Sequence, residues 1–341
     1  MDYHGFESGG KINLVRERSY FLIFQKYKLN VASFSASVET NHKNSKIYVD
    51  GKYIKTAADD GTGDYVAKIG PYLAGEHDIQ IKASASNHNL STSGTISLWK
   101  NNQTYDGNIK TANLAIFGPK GGQVYVGNKY VGEFNNNGIL DLEYYQYNSE
   151  TTAYVVYKVK NNKFTSKEAN ISEAVENTNN SSDSDSDFNG EVQQARDKTN
   201  DYDSSYVNVY PDFKAAPSMD TVSSLIKDCF KDPDSDEFIG GSDNKYYKSF
   251  RKMADNFNDS DNFNDSDKIM DWSVEPDVNN VYPIGDGVFE CNTKLDYKFE
   301  HENDDHIQVA HYPHITFKKE NGDFKILSMG DGKIIYDVTK K

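Results

Sequence analysis

Ile47-Tyr48-Val49-Asp50-Gly51-Lys52-Tyr53-Ile54 carries the clearest local signal in the chain. Two short runs of β-branched and aromatic residues flank an Asp-Gly pair. A two-residue type I′ turn needs φ > 0 at both central positions. Gly adopts that conformation freely and Asp more readily than most residues, so the octapeptide reads as a β-hairpin. The pattern returns 77 positions later as Val124-Tyr125-Val126-Gly127-Asn128-Lys129-Tyr130-Val131, with Gly-Asn at the turn. Farther along, Ile79 and Ile81 match Val155 and Tyr157 at an offset of 76, so a duplicated β unit is expected.

The chain has 341 residues, enough for two or three domains of about 100 to 150 residues. Its 24 Tyr and 18 Phe, with abundant Asn, Ser, Thr and Gly, favour β-sheets with solvated faces over helical bundles. The net charge of −15 is unevenly spread: +3 up to Thr165 and −18 beyond it. The acidic second half argues against nucleic acid and against direct polyanion binding there, because phosphate contacts need Lys and Arg. Two cysteines, Cys229 and Cys291, form neither a disulfide framework nor a zinc motif. The early apolar run Tyr20–Phe24 is far short of the ~20 residues that span a bilayer.

Taken in order, residues 1–30 read as the end of a preceding β domain or as strands leading into the next. Residues 31–110 form a first small β domain and 111–170 a second. Residues 171–205, centred on Asn179-Asn180-Ser181-Ser182-Asp183-Ser184-Asp185-Ser186-Asp187, are too polar to bury a core and read as an acidic linker. Residues 206–341 change character. Ser218 is placed to cap a helix whose apolar face is Val222, Leu225, Ile226, Cys229 and Phe230. Tyr246, Phe250, Met253 and Phe257 mark a second helix. Four extended runs follow, Met270–Val278, Val288–Phe299, Ile307–Phe317 and Phe324–Val338. The expected class is mainly β with α+β: tandem small β-sandwich or barrel domains, then helices on a curved antiparallel sheet shaped like a cone.

Three stretches carry a family resemblance: Arg18 to Lys28, Val38-Glu39-Thr40-Asn41 with the hairpin after it, and Ile69-Gly70-Pro71-Tyr72-Leu73-Ala74-Gly75-Glu76-His77. They resemble the TcaA-like membrane proteins of Gram-positive bacteria. In that family a zinc ribbon and one transmembrane helix precede extracellular β domains and a C-terminal domain similar to nuclear transport factor two. Phe238 to Tyr247 looks like that last domain's loop and helix start. The resemblance implies an excised extracellular portion at the outer face of the membrane or in the cell wall. Its membrane contact would come only through an anchor missing from this chain. The implied partner is a cell-wall polymer or another envelope protein, and the implied setting is cell-wall stress or glycopeptide antibiotic response. The shared motifs are turn and strand residues and carry no catalytic role across.

Candidate chemistry is sparse. Asp232, Asp234, Asp236 and Asp243 alternate between the two predicted helices like the ligands of a calcium loop. Glu237 stands where the sharp turn wants Gly, and an acidic loop is the plainer reading. Asp255 to Ser260 is repeated without change at Asp261 to Ser266, as expected of a tolerated loop insertion. His301, His306, His311 and His314 crowd one region, yet His311 and His314 are an odd number apart on a predicted strand and should face opposite sides. Asp271 or Glu275 beside Trp272 is the candidate base if the cone holds an enzyme site. Cys229 and Cys291 could meet where helix packs on sheet, with buried free thiols the default. Tyr144, Tyr145 and Tyr147 could stack on sugars or pair across strands. The expectation is a non-enzymatic binding or spacing region with no cofactor unless calcium binds; the alternative is a surface enzyme or small-ligand-binding protein with its site in the cone.

Overall fold

The computed structural model describes residues 12–16, 26–180, 205–258, 269–302 and 304–340. The run Tyr20–Phe24, the acidic stretch from 181 to 204 and the second copy of the short repeat, 261–266, lie outside the described residues. The chain divides into two compact units, Met1–Thr111 with Tyr144–Gln146, and Ala112–Glu143 with Tyr147–Lys341. The protein is mainly β with an α+β portion.

In the first unit, β1 (Ile12–Arg16) and β2 (Tyr27–Val31) pair antiparallel. Then come β3 (Ser33–Thr40), β4 (Lys46–Val49), β5 (Lys52–Thr56), β6 (Ala58–Asp59), β7 (Tyr65–Leu73), β8 (Gly75–Ala85), β9 (His88–Leu98) and β10 (Gln103–Asp106). They form two four-stranded sheets, β10-β3-β7-β6 and β5-β4-β8-β9. The alternating residues Val38, Ile47, Val49, Ala67, Ile69, Ile79, Ile81 and Leu98 are buried in one cluster, as period-two strands with one wet face require. The opening turn has φ of 49° at Asp50 and 74° at Gly51, both positive as a type I′ turn demands. Gly70-Pro71 lies inside β7.

The second unit begins with the repeat. Its strands are β11 (Thr111–Phe117), β12 (Gln123–Val126), β13 (Lys129–Glu133), β14 (Ile139–Gln146), β15 (Thr152–Val159), β16 (Asn162–Thr165) and β17 (Ala169–Asn170), followed by α1 (Ile171–Asn180) and β18 (Val207–Val209), with Thr111 and the last three residues of β14 counted in the first unit. Gly127 and Asn128 again have positive φ, 55° and 63°. The β12-β13 hairpin pairs with β15 as β4-β5 pairs with β8. In both modules the final strand, β10 or β18, adds in parallel to the first, β3 or β11. The register corrects the repeat alignment. Ile47 opposes Ile81 and Val124 opposes Val155, so Ile81 corresponds to Val155 and Ile79 to Ala153, an offset of 74 rather than 76.

Residues 171–205, expected as a linker, start with helix α1, whose Ile171 is fully buried. On the far side of the acidic stretch, β18 closes the same module, and Tyr210 stacks on Phe117 with ring centroids 4.8 Å apart. Lys167 N also donates to Asp212 O at 2.6 Å. The acidic stretch therefore interrupts the second β module instead of separating it from the next, because both flanks are tied to that module.

The rest of the unit comprises α2 (Met219–Lys231), 3-10 turns at Ser235–Glu237 and Gly241–Asp243, α3 (Lys245–Asn258), β19 (Ile269–Gly285), β20 (Val288–His301), β21 (Asp305–Glu320), β22 (Asp323–Ser328) and β23 (Lys333–Lys340). Ser218 caps α2, its side chain accepting from Thr221 N at 3.1 Å. Val222, Ile226, Cys229 and Phe230 bury against Trp272, Val274, Leu295, Phe299 and Phe317. The last predicted run is two strands: β22 and β23 both pair along β21, one on each half of it. The chain breaks at Gly330, with φ of 63°, where an added Cβ would sit 2.9 Å from His314 O. Bulges in β19, in β21 against β20, and in β23 against β21 add the local twist that curves the sheet. No helix among the described residues is long and apolar enough to cross a membrane.

Candidate functional site

A cleft within the second unit is set by two β-bulges. In β19, Val278 opposes Thr293 and Asn280 opposes Asn292, so Asn279 is the extra residue. Across the next ladder Thr293 opposes Tyr312 while Cys291 opposes Ile315, so Pro313 and His314 together face Asn292. A bulge breaks strict face alternation. That is why His311 and His314, expected on opposite faces, line the same cleft.

The β11–β12 and β13–β14 connections of the second β module supply the other wall, with Gly118, Lys120, Asn136, Asn137 and Gly138. Asn135 shapes that rim: its side chain accepts from Asn137 N at 2.8 Å and Ile139 N at 3.1 Å. Gly138, with φ of 75°, donates to Asn135 O, and its own carbonyl accepts from Gly118 N at 2.9 Å. A Cβ at 138 would stand 2.5 Å from Gly118 O. Only glycine meets both demands there.

The cleft has a volume of about 290 Å³ and is lined by five asparagines, 136, 137, 279, 280 and 292, with Lys120, Lys294, His311, His314, Tyr282 and Pro313. No Asp or Glu lines it, in a half of the chain that carries an acidic excess. Asn280 is 8% exposed and Lys294 7%. The Oδ1 atoms of Asn279 and Asn280 are buried and accept no hydrogen bond among the described residues. A buried carbonyl left unmatched costs about 1–3 kcal/mol, which a ligand hydroxyl or amide N–H would recover. His311 Nε2 lies 2.6 Å from Asn292 Oδ1, so the ring orients that amide.

Behind the wall, Tyr282 donates its OH to Glu290 Oε1 at 2.6 Å, and His314 Nδ1 lies 3.2 Å from the same oxygen. Burial, and then the Glu290 carboxylate, push the Tyr282 phenol far above its ordinary value, so it stays protonated and a donor. The lining offers amide donors and acceptors, the ammonium groups of Lys120 and Lys294, imidazoles and a phenol, with no hydroxyl or thiol of Ser, Thr or Cys. Its chemistry is directional hydrogen bonding.

The sequence-predicted site residues have other local roles. Asp232 ends α2 and pairs with Arg251 at 3.4 Å. Asp234 caps the Ser235–Glu237 turn, accepting from Asp236 N at 2.9 Å, and Asp243 pairs with Lys248 at 3.7 Å. The loop is held by buried Phe238 and by Ile239 N donating to Ile326 O at 2.8 Å. No group of three or more His, Cys, Asp or Glu placed to hold a metal occurs among the described residues. His306 turns instead to Asp337.

Asp271 accepts from Trp272 N, and Glu275 pairs with Lys227. Asp271 is exposed while Trp272, pointing to the opposite face of the strand, is buried, and neither carboxylate enters the core. Aromatic rings occupy that core, Phe230 lying within 6.0 Å of Phe250, Tyr297 and Tyr312 by centroid. Cys229 and Cys291 are buried free thiols. Tyr144 is exposed, and burial raises the Tyr145 phenol.

Asn279 and Asn280 were missed as site residues. The available signal was an Asn-Asn pair in the middle of a strand, where Asn is depleted, and a second Asn run, Asn135-Asn136-Asn137-Gly138. Compared with protein-family models, curated proteins and solved structures, the chain matches none at a significant level.

Proposed function

We propose that the chain is a non-enzymatic, extracellular binding region of a membrane-anchored cell-envelope protein, and that its cleft takes one neutral sugar or amide-bearing unit of a cell-wall polymer. The observation that carries this reading is the lining itself: five carboxamides, two with buried unmatched acceptors, and no carboxylate. Carboxamides both donate and accept, so they match the hydroxyls and N-acetyl groups of an amino sugar or the backbone of a short peptide. A cavity of about 290 Å³ admits one such unit, in keeping with a reader of repeated units along a chain. The resemblance to TcaA-like proteins supplies the cellular setting.

The test is calorimetric titration with N-acetylglucosamine oligomers and with their deacetylated counterparts. Saturable heat with the acetylated series, lost in Asn280→Leu, supports the reading. No heat with either series counts against it.

A further inference from the structure

We infer that the solvent faces of the two hairpin sheets are a repeated binding surface for an anionic polysaccharide. In the first β module, Tyr48 and Tyr53 meet edge to face with centroids 5.6 Å apart at 65°. The equivalent pair in the second, Tyr125 and Tyr130, meets at 5.8 Å and the same 65°. Tyr53 is 53% exposed and Tyr130 50%, so neither ring is needed to fill a core. In the second module Tyr154 also stacks on Tyr125 at 5.0 Å and 4°, extending the pair into a flat platform.

Cross-strand aromatic pairs stabilise a hairpin, and that alone would explain the tyrosines. It does not explain the lysines beside them. Lys46 stands directly opposite Lys82 in the first module, and Lys158 directly opposite Lys163 in the second. All four are exposed, and each pair shares the outer face with its tyrosines, since their strand neighbours Ile47, Ile81, Val155 and Tyr157 point into the core. Like charges directly opposite on a sheet are destabilising, so two such pairs in two modules need a reason outside the fold.

An anion between the lysines supplies one. Lys82 Nζ already sits 4.9 Å from the Tyr48 ring centroid, so cation and ring are presented together. A groove of about 490 Å³ runs over Tyr125, Tyr154, Lys158 and Lys163 with no Asp or Glu in its lining. Sugar C–H faces stack on the tyrosines while carboxylates or phosphates of the same polymer sit on the lysine pairs. This rests on the reading of the chain as a polymer binder and not on the asparagine cleft.

The experiment measures binding of the whole chain to oligogalacturonate, a carboxylate polysaccharide, to a phosphorylated dextran, to neutral malto-oligosaccharide and to single-stranded DNA, at low and high salt. We expect one or both anionic polysaccharides to bind, weakening as salt rises. Lys82→Gln with Lys163→Gln, and Tyr53→Ser with Tyr130→Ser, should each weaken that binding about tenfold, equivalent to about 1.4 kcal/mol. Lys163→Gln should at the same time raise Tm, which a purely structural lysine would not do. Asn280→Leu should leave this binding unchanged, so failure here and failure of the cleft reading are separable. Equal binding of the neutral oligosaccharide, equal binding of DNA, no binding of either anionic polysaccharide, or unaltered affinity in both double variants would overturn the inference.

Discussion

The Asp50 carboxylate and the His77 imidazole latch the first hairpin turn to the neighbouring strand, Oδ2 lying 2.8 Å from Nδ1. The other carboxylate oxygen accepts from Asp78 N at 3.0 Å, and His77 Nε2 reaches Leu73 O at 2.9 Å. Both ring nitrogens thus face acceptors, which requires both to donate and the ring to be the imidazolium. The hydrogen bond that His77 donates to Asp50, then the one to the Leu73 carbonyl, raise the His77 pKa above its ordinary 6.5 against the opposing effect of burial. The second module has Gly127 at the position of Asp50 and no such latch.

A pH window follows. The raised His77 contributes fully below about 6.5 and loses its contribution as pH rises through the raised value. Asp50, lowered from 3.8 chiefly by its His77 hydrogen bond, contributes above about 3.8 and loses that as pH falls through the lowered value. Asp50→Asn should therefore cost most between pH 4 and 6.5, by about 1 kcal/mol or less because the carboxylate is half exposed. Denaturant melts of both proteins at pH 5.5 and pH 9 check this; an equal difference at both would remove the latch.

Gly138→Ala should destabilise the second unit by about 2 kcal/mol, combining positive φ with a Cβ pressed against the Gly118 carbonyl. Chemical denaturation reads the loss. Gly127→Ala, with no atom within 4 Å of its Cβ, isolates the conformational part and should cost less.

Cys229 and Cys291 should react as two thiols in denatured, non-reduced protein and as none in the native state. Burial and the Glu237 carboxylate hold the Cys229 thiol protonated, its Sγ donating to Glu237 Oε2 at 3.2 Å. Fewer than two thiols after denaturation would instead indicate a disulfide.

Local chemistry was legible in the sequence wherever it is decided by neighbours. Asp50-Gly51 and Gly127-Asn128 give turns because their φ requirements are met within the pair, and Ser218 begins α2 because its hydroxyl caps the first turn. Registers were less legible. Sliding β15 by two residues keeps the same face inward, so Ala153-x-Val155 and Val155-x-Tyr157 fit the repeat equally until hydrogen bonds choose. The return of β18 to β11 across the acidic stretch depends on a parallel pairing with no local signature. The cleft was hidden for a related reason: it is made by bulges at Asn279 and at Pro313-His314, and a bulge cancels the alternation by which faces are read.

The cleft is tested by cosedimentation of the intact chain with purified cell wall at high salt, where binding by the lysine faces is screened, beside Asn279→Leu/Asn280→Leu, in which the cleft's two unmatched acceptors are removed. The wild-type chain should sediment with the wall, and the double variant, still folded by its melting curve, should be retained at least about tenfold less. Equal retention of the two proteins, or no retention of the wild type, would contradict it.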